Sequence, residues 1–394
     1  MSAGAPDAVG PEPSVSGVRV AADPDGRWKI GVIGKRTWKV NPRGRCTLSP
    51  EQVPLVEEAL YDPDRAVLIH DADVLLNRTR TDIVLDGHVY PPDGRTPFDF
   101  GVQVGATVRL ARAFGPRRVT LDHYGGLRFS SPEPIEKIPL GWESAYGGVD
   151  FEARAAIGDP FEEAMADAGA PPDPRYGLFA YPRNPVGKGY LIEPTPKAVE
   201  RCALPLIEDR ESLLTPATLA RQDFLVWPSG PPVAAFGWLS YTYFPRSTLL
   251  GAAPLFYDPQ RSPPSSFLEV KQRELSELAV GAERNVRDRL GLAVAQSAAL
   301  GLRAASVKPG DAVAIHGLHP GEPRWNFQIP LETPRMGLRF ANEKALELPA
   351  PVIRTVYIEP DAERLTLVWV AELQLPDPPG PKRMATLKHI VMWT

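Results

Sequence analysis

Proline sets the first limit on this chain. It supplies 45 of the 394 residues, about twice the usual share of roughly 5%. Each proline fixes its own φ and removes a backbone donor, and it also pushes the residue before it out of helical geometry. Over most of the chain this excludes long unbroken helices and long central strands. It favours short strands joined by stiff, extended connections. With 43% hydrophobic residues the chain can still bury a sizeable core, so it reads as globular and not disordered. The expected class is mainly β (α+β): a β-sandwich-like body with long ordered loops, one helical insertion and a C-terminal antiparallel strand set.

The net charge of −4 comes with no basic block, so the footprint of a nucleic-acid binder is missing. No run of about 18 apolar residues predicts a membrane span. The N-terminal stretch M-S-A-G-A-P-D-A-V-G-P-E-P lacks the basic and apolar regions of a secretion signal. The two cysteines, Cys46 and Cys202, have no recognisable spacing and fit a reducing compartment. The expected location is the cytoplasm.

Residues 1–25 read as a mobile tail of small residues and proline. A β-rich, loop-rich body is expected over 26–262, a helical insertion over 263–302 and a C-terminal β portion over 303–394, with 26–394 compatible with one continuous domain. Within the body, 28–33 and 37–40 read as strands of a hairpin turning at Gly34–Arg36. Residues 66–70 form a short apolar run. The segment 81–90 is strand-like and precedes a P-P-D-G-R turn. Residues 101–111 alternate as one half-buried strand, with Val102, Val104, Ala106, Val108 and Leu110 on a single face; 118–121 is expected to pair with it. From 125 to 235 periodicity fades, apart from a short acidic helix within 151–168. Leu275, Leu278, Ala282, Val286, Leu290 and Ala293 recur at helical spacing behind a Ser266–Glu269 capping pair, and Gly301 stands at a C-cap position. This predicts a helix over 267–300. Strands return at 312–316, 352–358 and 364–373, the last two joined by P-D-A-E, and 387–393 adds an edge strand.

Two loops concentrate the unusual chemistry: P-L-G-W-E-S-A-Y-G-G at 139–148 and N-P-V-G-K-G at 184–189. The second suggests a phosphate loop, yet Pro182 occupies the first glycine position and Gly189 the hydroxyl position. His316 and His319 form H-G-L-H without a third ligand at a known spacing, Glu322 included, so a turn with solvated histidines is the simpler reading. His70 with Asp71 and Asp73, or His88 with Asp86, lacks a serine in a nucleophile turn, and Ser144 has the wrong surroundings. Neither cysteine is clearly activated, although Arg45 and Arg201 adjoin them. Glu143 with Arg183 or Lys188 suits an acid–base pair or, more simply, a salt bridge between loops. Trp142, Tyr146, Tyr181 and Tyr190 suit core anchors, and secondarily partner contacts.

In order along the chain, these loops and their neighbours resemble a known family. Asp82–Tyr90 matches D-[IV]-x-[LV]-x-G-x-[AV]-Y, and Pro92–Arg95 matches P-x-G-R. Val102–Leu110 loosely matches a V-x-[VL]-x-V-G strand. Ile138–Gly148 matches [MI]-P-L-x-W-E-x-A-[FY]-G-G and Arg183–Gly189 matches R-N-P-V-G-[RK]-G. Leu204–Asp209, Gly310–Leu318 and Phe327–Pro330 complete the series. The chain is similar here to the bacterial domain-of-unknown-function family 2169, associated with type VI secretion. It departs from the pattern at Trp238, where proline is usual, and at Pro254–Gln260 and the predicted 267–300 helix, which stand where the family carries an aromatic, Asn- and Ala-Pro-rich run.

The resemblance implies a non-enzymatic adaptor or chaperone that binds a toxin effector in the cytosol and helps load it on a VgrG-type spike, with no cofactor and no metal. The candidate partner-binding or loop-bracing residues are Trp142, Glu143, Tyr146, Arg183, Asn184 and Lys188. Two alternatives stay open: a hydrolase acting on an envelope component through Glu143 with His70 or His123, and a structural component of the secretion apparatus.

Overall fold

A computed structural model describes residues 14–22, 27–62, 67–76, 78–157, 180–192, 194–219, 230–240, 243, 296–341, 343–377 and 380–394. These residues are mainly β. A seven-stranded sheet runs in the order Val15–Ala22, Trp28–Val40, Arg364–Leu375, Val352–Glu359, Thr81–Leu85, Arg303–Ala304, and Cys46–Leu48 pairs with the far end of Trp28–Val40. Its pairings are antiparallel except where Val352–Glu359 meets Thr81–Leu85. A five-stranded antiparallel sheet runs Ile207–Asp209, Thr107–Ala113, Phe98–Val104, Ala312–His316, Arg324–Gln328.

Both sheets feed one hydrophobic cluster. Val32, Trp38, Val84, Val356 and Leu367 come from the larger sheet; Phe100, Val102, Ile315, Trp325 and Phe327 come from the smaller. The larger sheet is also covered on its other face, where Leu55, Ala72, Val74 and Leu76 pack on Ile33, Val368 and Val370. Double coverage explains why Trp28–Val40 is buried along most of its length. It also explains the charged groups held there. Lys35 Nζ meets Asp73 Oδ2 at 2.7 Å, both side chains 1% exposed. Arg78 donates to Thr355 Oγ1, Ser297 Oγ and Ala72 O.

Several sequence expectations change. The hairpin expected at Gly34–Arg36 is absent, and Trp28–Val40 is one 13-residue strand. Glycine beside two charges looks like a turn, but Lys35 finds Asp73 and the Arg36 guanidinium lies 4.1 Å over the Trp393 ring. The single strand expected over 101–111 is a hairpin of Phe98–Val104 and Thr107–Ala113, turning at Gly105 (φ 55°). The turn reverses the facing, so Val102 and Val104 are buried while Val108 and Leu110 are exposed. Val119–Leu121 pairs with Leu127–Phe129 instead. Asp122 Oδ1, accepting from Tyr124 N and Gly126 N, closes that local turn.

The expected N-terminal tail contains a strand. Val15–Ala22 pairs with Trp28–Lys35, and Val18 and Val20 pack on the core from alternate positions. The helix predicted over 267–300 does not reach residue 300, and its stretch 267–295 lies outside the described residues. Residues 296–300 are non-helical: Ser297 N donates to Asp82 Oδ2, Ser297 O accepts from Leu239 N, and Ala298 bridges Trp238. These long-range bonds override the local helical signal. The short acidic helix appears as Phe151–Ile157, and the rest of its expected range lies outside the described residues. Lys388–Trp393 forms an edge strand on Pro334–Arg339.

Candidate functional site

The two unusual loops are built into each other. Trp142–Ser144 is a single 3-10 turn. Trp142 is buried, its indole donates to Trp238 O at 2.9 Å, and its ring stands edge-on to Tyr243. Asn184 is fully buried and donates from Nδ2 to Trp142 O at 2.7 Å and Tyr146 O at 3.0 Å. Gly148 N returns a bond to Asn184 O, and Lys188 N and Tyr190 N bond Ala145 O and Gly147 O. Tyr146–Gly147 and Lys188–Gly189 thereby form a short parallel pair.

Glycine is required at this contact. A Cβ on Gly187 would lie 2.5 Å from Asn184 Nδ2 and 2.6 Å from Ala145 O, and Gly147 has φ 147°. No other residue lets the two backbones approach this closely.

Behind the loops lies a tyrosine cluster. Tyr146 stands edge-on to Tyr181 at 4.9 Å, and Tyr181 lies 5.3 Å from Tyr190. Tyr181 Oη donates to Pro231 O and accepts from Arg183 Nη1. Burial drives the Tyr146 phenol well above its ordinary pKa, so it stays neutral and is a poor proton carrier. Of the six candidate residues, Trp142, Tyr146, Arg183 and Asn184 are buried. Glu143 and Lys188 are half-buried, and Lys188 joins the brace through its backbone.

Two further anchors hold the loops from outside the six candidate residues. Asp150 precedes the helix Phe151–Ile157 and accepts from Glu152 N and Ala153 N, as an N-cap should. Its second oxygen takes Ile192 N from beyond the other loop. Glu208, inside L-P-L-I-E-D, is buried, pairs with Arg117 and accepts from Leu214 N. Arg117 lies 3.9 Å over the Phe114 ring.

The remaining reactive side chains are dispersed. His123 is exposed on the 119–129 hairpin beside Tyr124. His70 is buried against Trp238 and Tyr357, with Nδ1 2.6 Å from Asp71 O. His88 Nδ1 lies 2.6 Å from Asp361 Oδ2, which ties the Asp82–Tyr90 segment to the turn after Val352–Glu359. Tyr90 donates to the same carboxylate, and burial together with Asp361 pushes its pKa up to about 12. His319 Nδ1 accepts from Gly321 N and Glu322 N, which leaves Nε2 to carry the proton, 3.4 Å from Glu363. The H-G-L-H stretch is therefore occupied in shaping a turn. Among the described residues no group of three or more His, Cys, Asp or Glu could hold a metal ion. Burial raises both thiols, Cys46 and Cys202, to about 11, so thiolate chemistry at neutral pH is disfavoured.

His70 gives a pH prediction. Burial lowers its pKa below the ordinary 6.5, so the unfolded chain takes up the proton first as pH falls. Its neutral form therefore supports the fold above about pH 6.5, and that support is lost progressively below it. The stability difference between wild type and His70→Gln should shrink as pH drops from 7 towards 5.5 in chemical denaturation. A pH-independent difference would contradict the assignment.

The fold and the loops together define a class: a mainly β protein in which two glycine-rich loops brace each other against the core. The particular family follows from direct comparison. The model of a family described as an uncharacterized protein conserved in bacteria (DUF2169) matches residues 25–370, and the chain belongs to that family. No curated protein and no solved structure matches. No helix among the described residues is long and apolar enough to cross a membrane.

Proposed function

We propose that this protein is a non-enzymatic adaptor of type VI secretion, which holds a toxin effector in the cytosol and helps mount it on a VgrG-type spike. The observation that carries the reading is how the motif residues are used. The amide of Asn184 is committed to two backbone carbonyls and the carboxylate of Glu208 to Arg117 and Leu214 N. Trp142 is committed to the core. Residues spent on rigidity suit a docking body, because stiff loops lose little entropy when another protein binds. The motif resemblance supplies the system in which such a body would work.

Co-purification tests the reading. With tagged protein expressed in its host, the product of a neighbouring effector gene should be retained, and deletion of the adaptor should lower secretion of that effector. Failure to retain effector or spike, with secretion unchanged on deletion, would overturn it.

A further inference from the structure

Among the described residues, the strand Cys46–Leu48 ends one side of the seven-stranded sheet and pairs only with Trp38–Val40. Asn41 N bonds Arg45 O, and Ser49 N bonds Thr37 O. In an antiparallel ladder bonded and non-bonded pairs alternate, so the amides and carbonyls of Cys46 and Leu48 point away from the sheet. This is an open template for another strand.

Beside it lies a cavity of about 350 Å³, lined by Gly44, Cys46 and the segment Phe327–Leu331. Leu331 is 76% exposed. Cys46 stands opposite Val40, a core residue, so the cavity lies on the core side of the edge. Side chains alternate along a strand. A segment added to Cys46–Leu48 would turn every second side chain towards this cavity. The F-Q-I-P stretch at Phe327–Pro330, which the brace does not use, forms its wall.

The charge around the edge narrows the occupant. Lys39, Arg43 and Arg45 are all exposed; they outnumber the acidic group at the edge, Glu332, which acts on Cys46 and accepts from the Trp38 indole. A second copy added here would bring like charges together, the usual way edges resist self-pairing. An incoming segment with acidic flanks would be attracted.

We infer that Cys46–Leu48 is a docking edge for an extended segment of a partner protein, which adds a strand, seats an apolar side chain between Cys46 and Leu331, and places Asp or Glu near Lys39, Arg43 and Arg45. Strand addition of this kind takes affinity from main-chain bonds and specificity from the side-chain pocket. The inference does not depend on the partner being a secretion effector.

A phage-displayed library of short linear peptides, selected on the full-length protein, supplies the probe. Enriched peptides should alternate apolar residues between acidic flanks. Their affinity should fall by about tenfold or more in Leu331→Glu and in Arg45→Glu; both residues are exposed, so folding should be retained. The amides of Cys46 and Leu48 should gain hydrogen-exchange protection on binding. Three results would overturn the inference: no enrichment, equal binding to wild type and both variants, or protection confined to other segments. Self-association of the wild type that Leu331→Glu abolishes would assign the edge to a second copy instead.

Discussion

Asn184→Asp should be among the most damaging single changes in this protein. The native amide donates from Nδ2 to Trp142 O and Tyr146 O, and the side chain is fully buried. A carboxylate there would place negative charge against two carbonyl oxygens, away from water. Asn184→Ala removes the donors without adding charge: Tyr146 O is left without that partner, at about 1–3 kcal/mol, whereas Trp142 O keeps Ala145 N. The alanine variant should therefore lose roughly 1–3 kcal/mol of stability, and the aspartate variant more, because an uncompensated buried charge adds its own penalty. Thermal denaturation followed by circular dichroism checks the order. If Asn184→Asp melts with the wild type, the loops do not brace the fold.

The second large effect lies on the opposite face of the main sheet. Lys35 Nζ contacts Asp73 Oδ2 at 2.7 Å and Pro54 O at 2.9 Å. Asp73 Oδ2 also accepts Val56 N. Lys35→Met keeps the side chain's bulk but leaves the Asp73 carboxylate buried without its cation. Breaking one side of such a pair costs about 3–5 kcal/mol. The double variant Lys35→Met, Asp73→Leu should recover much of the loss, because replacing both charges by apolar groups is often neutral or better. A double variant as unstable as Lys35→Met alone would show that the damage comes from repacking and not from the stranded charge.

Much of this architecture can be read from residue patterns, and the failures have physical causes. Ala312–His316, Val352–Glu359 and Arg364–Leu375 are legible because each is a β-rich run, the last two joined by turn residues. Gly34–Arg36 looks like a turn because composition does not reveal that Asp73 and Trp393 await the two charges. Gly105 reads as part of one alternating run because apolar residues continue on both sides; only the turn changes which of them face the core. The 296–300 stretch has local helical character, and Asp82 and Leu239, distant in sequence, win its backbone bonds.

The candidate site was legible as a place before it was legible as a structure. Glycine and proline around Trp142 and Asn184 mark loops under constraint. The partners of Asn184 are backbone carbonyls, which no side-chain pattern encodes. Asp150 was the exception, since an aspartate just before a helix is a readable cap. Glu208 and Arg117 stand far apart in sequence, so their pairing carries no local signal.

The central claim is that the 139–148 and 184–189 loops belong to the rigid body of the fold. Native-state hydrogen exchange at Gly148, Lys188 and Tyr190 tests it most directly, since these amides carry the loop-to-loop bonds. The brace predicts that they open with the same free energy as Val84 and Leu85 in the central sheet, through one cooperative unfolding. Exchange of the three by local opening, several kcal/mol easier than at Val84 and Leu85, would contradict it.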